Sequence, residues 1–474
     1  MFTVTDTHRR LRVAAALLIT IPAVSLFAAA PTLATASTPN CLAPAMPGAV
    51  AVASAHAPLA HPARGSVVAS GLTADPLYSR QPELFTGCWS SDLPAAWQLT
   101  RGAGTLVAVV DSGVDITHPD LAGAIWTNPG EIAGNGVDDD HNGYVDDVHG
   151  VDLVDPGAAG TDPYGHGTAV AGLIAARAGN GLGITGAAPK ALIMPVRVLD
   201  GDGAGYVSAL AEGISYAVHN GAKIINVSLN TDALAPELRD ALAQAAAADV
   251  LVVASAGNTG RDLDTTPSYP ASSSEPNVLS VAALTRTAAL ASFSARGRES
   301  VDTAVIGDSL PTTAPGRRYT TFSGTSAAAA VASGVAALAR AEAPDLSAAA
   351  VRKLIMETGA PSSMAVAGGA MRPGTAVRYA ARPGETAPAL EVQVARRRAG
   401  RTAVLSVRAD QAAARTVIVT IRSGGRTLRA RATMRGGAAT LQVRLPARSR
   451  RLTVKTELRS ATGHRLGAVR SAVS

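Results

Sequence analysis

The chain has 474 residues, a length typical of about three domains, and 47% of them are hydrophobic, which is ample for a sizeable core. Its formal net charge of +6 is unevenly divided. Residues 387–474 carry 19 Lys and Arg against 3 Asp and Glu, while the rest of the chain carries 23 against 33. Two cysteines with no nearby histidine pattern argue against a structural zinc site. We therefore expect an acidic globular body followed by a basic C-terminal domain.

The first 36 residues have the pattern of an export signal. Arg9, Arg10 and Arg12 precede an apolar run over residues 13–30, and the small residues at 34–36 offer a cleavage site. An uncleaved membrane anchor is the alternative, although proline and hydroxyl side chains interrupt the run. We expect cleavage and a protein that is secreted, either extracellular or associated with the cell envelope. No transmembrane segment is expected after removal of the signal, because no later stretch is long and apolar enough.

Residues 37–70 are rich in Ala and Pro and are interpreted as a short propeptide or a tether. Cys41 lies in this segment, and Cys88 lies near the start of the region that follows. In an oxidising compartment a single pair of cysteines most simply forms one disulfide, which would tie the segment to the folded domain. Two free thiols are the alternative.

Residues 71–382 alternate between short apolar runs and helical stretches. Continuous apolar runs are typical of strands that are buried on both faces of a parallel sheet. The predicted strands lie at 106–110, 191–199, 223–229, 250–254 and 278–284, and the predicted helices at 168–177, 206–219 and 236–247. This order predicts an α/β domain with a mostly parallel sheet, whose functional residues gather at the carboxyl ends of the strands.

Asp111 closes the first predicted strand, and His166 opens a predicted helix. An aspartate in this place is either a turn former or a buried acid with a partner. His166 stands between Gly165 and Gly167, which allow neighbouring backbone to approach closely. The other histidines lie in polar or irregular contexts. Asp111 and His166 are therefore the candidates for an acid and base pair.

Ser326 follows a turn of small residues and lies in the first turn of a long Ala-rich helix that ends at Pro344. Its hydroxyl would lie beside unpaired backbone N–H groups and the positive end of the helix dipole, a favourable place to form an oxyanion. A serine that only caps a core helix is the alternative. Combined with a base and an orienting acid, Ser326 would be a catalytic nucleophile.

Seven segments give the chain a clear resemblance to the subtilisin-like serine proteases, the subtilases. They cover about residues 75–360 and read VVDSGVDITHPDL, YGHGTAVAGLIAA, NVSLN, VVASAGN, YPASSSEPNVLSVAAL, ASFSARG and FSGTSAAAAVASG. The resemblance implies a three-layer subtilisin-like domain and a secreted serine endopeptidase that acts through an acyl-enzyme. Asp111, His166 and Ser326 would be its triad, and Asn258 would supply the side-chain amide of the oxyanion hole.

The resemblance also implies where a protein or peptide substrate binds. Two segments would hold an extended peptide by backbone hydrogen bonds, namely Gly203, Ala204 and Gly205, and Ser228, Leu229 and Asn230. Residues 254–257, which include Ser255, Ala256 and Gly257, would line one wall of the primary specificity pocket. Their small side chains predict room for a medium or large apolar side chain. No cofactor is needed for this chemistry, and no nucleic-acid partner is expected.

The chain departs from the family pattern at several places. Ala330 replaces a proline, Ala327 a methionine, Ala169 a histidine and Asn230 a glycine, and Val305-Ile306-Gly307 replaces Ala-Pro-Gly. None of these removes a catalytic group, but Asn230 lies at the rim of the predicted pocket. Two alternatives therefore stay open. One is a catalytically impaired or narrowly specific subtilase, and the other is an envelope-binding protein whose enzyme-like body is a scaffold.

An acidic stretch lies between the candidate aspartate and histidine. Asp138, Asp140 and Asn142 have the opening spacing of an EF-hand calcium loop, and Asp146 takes its ninth position. The twelfth position is His149 rather than Glu, which excludes an EF-hand proper. The stretch is either a one-sided structural calcium loop or a solvated acidic turn.

The basic residues 387–474 switch to a hydrophobic period of two, with Gly-rich turns between the alternating runs. This pattern predicts a small antiparallel β-sandwich. Its positive charge either keeps the surface soluble or binds an anionic partner such as a cell-envelope polymer.

Overall fold

The computed structural model describes residues 75–85, 93–156, 159–360 and 364–381, together with the backbone of strands at 18–20 and between 391 and 473. Cys41, Cys88 and the segment 37–70 lie outside the described residues, as does the predicted export signal apart from its strand. The disulfide, the domain boundaries and the export signal therefore stay predictions. Within the described residues, no helix has the length and apolar character needed to cross a membrane.

The strands of the body are short and mostly buried. In chain order they are β1 (Leu18–Thr20), β2 (Leu106–Asp111), β3 (Val151–Asp152), β4 (Leu192–Arg197), β5 (Ala204–Tyr206), β6 (Ile224–Val227), β7 (Leu251–Ser255), β8 (Val278–Leu284), β9 (Thr303–Ile306), β10 (Leu310–Ala314) and β11 (Arg318–Phe322).

The helices of the body lie between these strands and after them. They are α1 (Pro82–Phe85), α2 (Leu93–Ala96), α3 (His166–Ala175), α4 (Val207–His219), α5 (Pro236–Ala247), α6 (Thr325–Glu342), α7 (Ala348–Thr358) and α8 (Pro373–Ala380).

Seven of the strands form one parallel sheet in the order β3-β4-β2-β6-β7-β8-β9. At its centre Val110 is in register with Val196 of β4 and with Val227 of β6. Because the strands run in one direction, β2, β6 and β7 end at the same edge of the sheet, with Asp111, Val227 and Ser255 as their last residues. Two antiparallel pairs, β10 with β11 and β1 with β5, lie outside this sheet.

Helices cover both faces of the parallel sheet, which gives three layers. Val107 and Val109 of β2 belong to the core cluster that includes α3 and α6, whereas Ala108 and Val110 belong to the cluster that includes α4 and α5. This alternation follows from the period of two along a strand. Helix α6 is buried from its first residue to Arg340, so the predicted Ala-rich helix lies in the core.

The predicted α/β architecture is confirmed, with shifts of one or two residues at most ends. The predicted strand 191–199 is β4, which spans only 192–197, and the predicted helix 168–177 begins two residues earlier, at His166. The sequence analysis did not predict β9, β10 or β11, which precede the candidate serine.

The C-terminal region contains strands in two antiparallel sheets. The strands are β12 (Glu391–Arg396), β13 (Thr402–Arg408), β14 (Thr416–Ser423), β15 (Arg426–Thr433), β16 (Ala438–Arg444), β17 (Leu452–Arg459) and β18 (Arg465–Val473). Their orders are β12-β13-β16 and β15-β14-β17-β18, with antiparallel pairing throughout. The predicted antiparallel strands are present, and their packing as a sandwich stays a prediction.

Candidate active site

Asp111 and His166 meet where β2 ends and α3 begins. The Nδ1 atom of His166 lies 2.7 Å from Oδ1 of Asp111 and 2.9 Å from its Oδ2, and both side chains are buried. An ionised carboxylate only accepts hydrogen bonds, so Nδ1 carries the proton and donates it. The Nε2 atom of the neutral imidazole is then left as a base.

A glycine makes this approach of helix and strand possible. A Cβ atom on Gly167 would lie 2.0 Å from the carbonyl oxygen of Gly113 and 3.1 Å from the Cβ atom of Asp111. No side chain fits at those distances, so the first turn of α3 packs directly on the chain that leaves β2. The predicted role of the glycines around His166 is confirmed for Gly167.

The other side of the imidazole has an unusual environment. Nε2 of His166 is buried, yet it has no hydrogen-bond partner among the described residues. The ring packs edge-on against Phe322, with centroids 5.2 Å apart. Buried polar atoms are nearly always paired, so an unpaired base nitrogen at this position indicates a functional role.

Opposing effects set the pKa of His166. Burial of the ring disfavours the charged imidazolium and lowers the pKa. The charge and hydrogen bond of Asp111, with a further contribution from the Asp162 carboxylate, raise the pKa and outweigh burial. The net direction is upward, so the imidazole keeps its proton to a higher pH than a free histidine does.

Asp162, a second buried carboxylate beside the histidine, was not predicted from the sequence. Its oxygens accept hydrogen bonds from Ser112 Oγ (2.8 Å), from the N–H of Gly165 (2.7 Å), and from the N–H (2.8 Å) and Oγ1 (2.6 Å) of Thr168. Ser112 Oγ in turn accepts the N–H of Gly167 (3.0 Å). Asp162 therefore joins the end of β2 to the first turn of α3.

A sequence signal for Asp162 did exist, since a negative side chain just before a helix is stabilised by the positive N-terminal end of the helix dipole. Burial raises the pKa of the Asp162 carboxyl, and the hydrogen bonds that it accepts act in the opposite direction.

The candidate oxyanion donors lie at the start of α6. Oδ1 of Asn258 accepts hydrogen bonds from the N–H (2.8 Å) and Oγ1 (2.9 Å) of Thr325, and Thr325 Oγ1 accepts the N–H of Gly257 (3.0 Å). These contacts fix the amide of Asn258 with its Nδ2 turned away from Thr325. A Cβ atom on Gly324 would lie 3.2 Å from this Nδ2 and 3.7 Å from the backbone nitrogen of Ser326. Two N–H donors therefore border one small space that only a glycine leaves open.

Ser326 is buried in the first turn of α6, four residues after Phe322, which contacts the ring of His166. The hydrogen bond between its hydroxyl and Nε2 of His166, which the resemblance implies, is not formed in this conformation. Catalytic hydrogen bonds in enzymes without substrate are often long and tighten only in the substrate complex.

The predicted substrate segments occupy two places. Ala204 and Gly205 lie in β5, whose edge pairs antiparallel with β1. Residues 228–230 and 255–257 lie beside each other, because they continue the neighbouring strands β6 and β7. Asn230 joins them, since its Nδ2 donates to the carbonyl oxygen of Ser255 (2.9 Å) and its Oδ1 accepts from Ser255 Oγ (3.3 Å).

The predicted calcium ligands are brought together only in part. Asn142 donates to Asp140 through its N–H (3.1 Å) and its Nδ2 (3.2 Å), whereas Asp146 faces another part of the loop. Asp138 accepts the N–H groups of Asn142 and Gly143, and Asp146 accepts those of residues 134–136. Of the four predicted residues, Asp140 alone belongs to a group of carboxylates that could hold a metal ion.

The other members of that group are Glu131 and Asp147, which the sequence analysis missed. Ligand oxygens of Glu131, Asp140 and Asp147 lie within 4.8 Å of one another. Nδ2 of Asn128 donates to both Asp140 and Asp147, at 2.9 Å each. Carboxylates and amides of this kind are the donor types that calcium prefers.

Comparison with known proteins gives a consistent result. A family model described as the subtilase family matches residues 102–387. The chain is 39% identical to thermitase from Thermoactinomyces vulgaris over 245 residues, which is 52% of this chain and 78% of thermitase. It is 37% identical to the major intracellular serine protease of Bacillus subtilis (strain 168) over 249 residues, covering 52% and 71% of the two chains. Among solved structures, a protease from Pseudoalteromonas arctica PAMC 21717 matches with a TM-score of 0.53 and 27% identity, over 65% of this chain and 99% of that one.

Proposed function

The chain belongs to the subtilase family and is a subtilisin-like serine endopeptidase, and from that premise we propose that it cleaves peptide bonds through an acyl-enzyme on Ser326. The observation that carries this proposal is the His166 imidazole. Its Nδ1 is held by Asp111 at 2.7 Å, while its buried Nε2 has no partner among the described residues. An imidazole arranged in this way is ready to accept a proton from a nucleophile.

In the first half of the reaction, Nε2 of His166 takes the proton of Ser326 Oγ as this oxygen attacks the substrate carbonyl carbon. Asp111 stabilises the imidazolium that forms and keeps its proton on Nδ1. The carbonyl oxygen becomes negative and accepts hydrogen bonds from Asn258 Nδ2 and from the N–H of Ser326, whose geometry supports this role.

His166 then gives its proton to the leaving amine, the peptide bond breaks, and the acyl group remains on Ser326, which completes the first half. In the second half, water gives a proton to the same Nε2 and attacks the acyl carbon, and His166 returns this proton to Ser326 Oγ as the ester bond breaks and the acid product leaves. Apart from water, both halves use only groups of this chain, so the proposed chemistry needs no cofactor.

An extended peptide is the substrate form that the edge of β5 favours. This edge already holds an antiparallel strand, with Leu18 opposite Tyr206 and Thr20 opposite Ala204. Backbone hydrogen bonds of this kind bind a peptide largely irrespective of its sequence. A substrate would take the place of β1, which supports the assignment of residues 203–205 as one side of the binding cleft.

The test of the mechanism is Ser326→Ala. We expect loss of peptide hydrolysis and of labelling by a fluorophosphonate, with an unchanged melting temperature. Ser333→Ala is a matched control, because Ser333 lies on the same helix and its hydroxyl donates to Asn226 instead. Near-normal hydrolysis by Ser326→Ala would overturn the assignment. A wild-type protein that neither hydrolyses peptides nor reacts with the probe would favour the impaired subtilase or the binding scaffold.

We also propose that the protein is exported and that cleavage follows the small residues at 34–36. The basic residues and apolar run before this point support the proposal. Cleavage there would remove β1 and leave the edge of β5 open to substrate. Mass spectrometry of protein recovered from the culture medium would identify the mature N-terminus. A mature protein that retains residue 1 would contradict the proposal.

A structural calcium ion is proposed for the acidic loop, by which we mean residues 128–147. The close carboxylates of Glu131, Asp140 and Asp147 support it, because their mutual repulsion would be relieved by a cation. This ion would stabilise the loop and take no part in the reaction.

A further inference from the structure

A side-chain bridge crosses the predicted specificity pocket, and it is carried by Asn230. Both ends of its amide bind the same residue, since Nδ2 donates to the Ser255 carbonyl oxygen at 2.9 Å and Oδ1 accepts from Ser255 Oγ at 3.3 Å. Two hydrogen bonds to one partner fix the rotamer and the plane of the amide. The side-chain amide of Asn230 is therefore fixed between the two pocket walls, which are residues 228–230 and 255–257.

The two walls are held apart by a fixed amount. They continue from β6 and β7, which are paired with Val227 opposite Ala254. Just beyond the first wall, Thr231 and Tyr269 exchange two backbone hydrogen bonds of 2.9 and 2.8 Å, which anchor this wall to the loop between β7 and β8. Neighbouring strands lie about 4.8 Å apart. The width of the gap between the two walls therefore depends on how far the chain segments after β6 and β7 separate. The walls cannot move apart without breaking this strand pairing, so a substrate side chain that enters the gap would contact any group placed across it.

The gap lies next to the proposed reaction centre. Gly257 precedes Asn258, whose Nδ2 is the proposed oxyanion donor, and a Cβ atom on Gly257 would lie 3.7 Å from Oδ1 of Asn230. The family resemblance places the substrate side chain on the acyl side of the scissile bond in this gap. There it would meet the amide of Asn230.

We infer that Asn230 and Ser255 restrict this pocket to small side chains, so that the enzyme cleaves after Gly, Ala or Ser. The inference rests on the proposed function and names its substrate class. The small residues of the pocket wall predict room for a large apolar side chain, and the Asn230 bridge takes up that room. A large side chain would have to displace the amide and break both hydrogen bonds without replacing them, which costs affinity at the transition state.

The test compares peptide p-nitroanilides that differ only in the residue before the scissile bond, with Ala, Ser, Leu, Phe, Asn and Gln at that position. We expect wild-type kcat/KM to favour Ala over Phe by about tenfold or more. Asn230→Gly removes the bridge and should raise the Phe-to-Ala ratio of kcat/KM by about tenfold or more. Ser255→Ala removes one of the two hydrogen bonds and should shift the ratio in the same direction by less.

Asn220→Gly is the matched control, because Asn220 follows α4 and its Nδ2 donates to the carbonyl oxygen of Tyr216 rather than to a pocket wall. It should leave the ratio unchanged. A wild-type preference for Phe or Leu, or a ratio that Asn230→Gly does not move, would overturn the inference. Preferential cleavage after Asn or Gln would overturn it too, because it would mean that the amide recognises a polar side chain.

Failure of this inference can be told apart from failure of the proposed function. Fluorophosphonate labelling of Ser326 does not depend on the substrate side chain. A protein that is labelled and prefers Phe contradicts the inference alone, whereas a protein that is neither labelled nor active on any of the peptides contradicts the proposed mechanism.

Discussion

Two regions of the body concentrate carboxylates, and they differ in what those carboxylates face. In the histidine network, meaning Asp111, Ser112, Asp162 and His166, each carboxylate accepts hydrogen bonds from an imidazole, a hydroxyl or backbone N–H groups. In the acidic loop, three carboxylates approach within 4.8 Å of one another. Both sets of carboxylates accept hydrogen bonds from the chain, for example Asp147 from Asn128 and Glu131 from the N–H of Asp146. They differ in that the first set orients a base, whereas the members of the second also lie close to one another, so that the proposed cation would relieve their repulsion.

The largest expected effect separates the two regions through activity. Asp111→Asn should lower kcat by about 10⁴-fold, because an amide no longer holds the proton of His166 on Nδ1 or stabilises the imidazolium. Asp146→Asn, in the acidic loop, should change kcat by less than about twofold in excess calcium, since a structural ion takes no part in the reaction. Steady-state kinetics on one peptide measures both variants. Equal losses would mean that the two regions do not differ in the way proposed.

A smaller effect concerns the pH dependence of the histidine network. His166 must be neutral to act as a base, and its pKa is raised above the ordinary value by Asp111 and Asp162. The acid limb of kcat/KM against pH should therefore lie above the pKa of about 6.5 of a free histidine. Asp162→Asn removes one negative charge, lowers the pKa of His166, and should move the limb to lower pH.

Ser112→Ala serves as the control for this shift, because it disturbs the same hydrogen bonds without removing a charge. Its acid limb should stay near that of the wild type. If Asp162→Asn is folded and its acid limb stays at the wild-type pH, the charge of Asp162 has no influence on the pKa of His166. Asp162 would then act only by hydrogen-bonding the first turn of α3.

Calcium should affect stability rather than rate. An ion bound only to the folded protein raises the free energy of unfolding by RT ln(1 + [L]/Kd), or about 2.7 kcal/mol at a hundredfold excess over Kd. The melting temperature should therefore rise between chelator and millimolar calcium. Asp147→Asn should abolish most of this rise, and Asp146→Asn should retain it because its carboxylate faces the N–H groups of residues 134–136.

The reverse result would restore the ligand set predicted from spacing alone. If Asp146→Asn abolishes the rise and Asp147→Asn does not, the ion is bound by Asp138, Asp140, Asn142 and Asp146. If the melting temperature is the same in chelator and in calcium, neither set of ligands binds the ion.

The contrast between the regions also explains what the sequence could predict. Strand β2 and helix α6 were predictable because an apolar run and a long Ala-rich stretch are local patterns. Once these elements were predicted, the place of Asp111 at the end of β2 and of Ser326 at the start of α6 followed. Asp162 had a local signal in its place before a helix start, but its role was not predictable, because its partners Ser112 and Thr168 are brought together only when α3 packs on the end of β2.

The same limit applies to the two remaining sites. Linear spacing selected Asp146, but the acidic loop folds back with positive φ angles at His141 (58°) and Asp146 (54°), which places Glu131 and Asp147 in the cluster instead. The bridge from Asn230 to Ser255 spans 25 residues and depends on the pairing of β6 with β7. Contacts of this kind follow from packing and have no local pattern.

The smallest expected effect concerns the basic C-terminal residues 387–474, whose net positive charge contrasts with the acidic body. A chain that ends at residue 384 should keep kcat/KM on short peptides within about twofold, because the proposed reaction uses no residue beyond Ser326. If the charge serves adhesion, the full chain should be retained on an anionic envelope polymer at low salt and released as salt rises, since screening acts over about 10 Å at 0.1 M. Equal retention of the shortened chain would assign adhesion to another surface.

The measurement that tests the central proposal most directly is the location of a fluorophosphonate adduct by peptide mass spectrometry. The proposed mechanism predicts one adduct per chain, on Ser326, and none on the His166→Ala variant, because Ser326 is activated only through that imidazole. An adduct on any other serine, or undiminished labelling of His166→Ala, would contradict the assignment of Asp111, His166 and Ser326 as the triad.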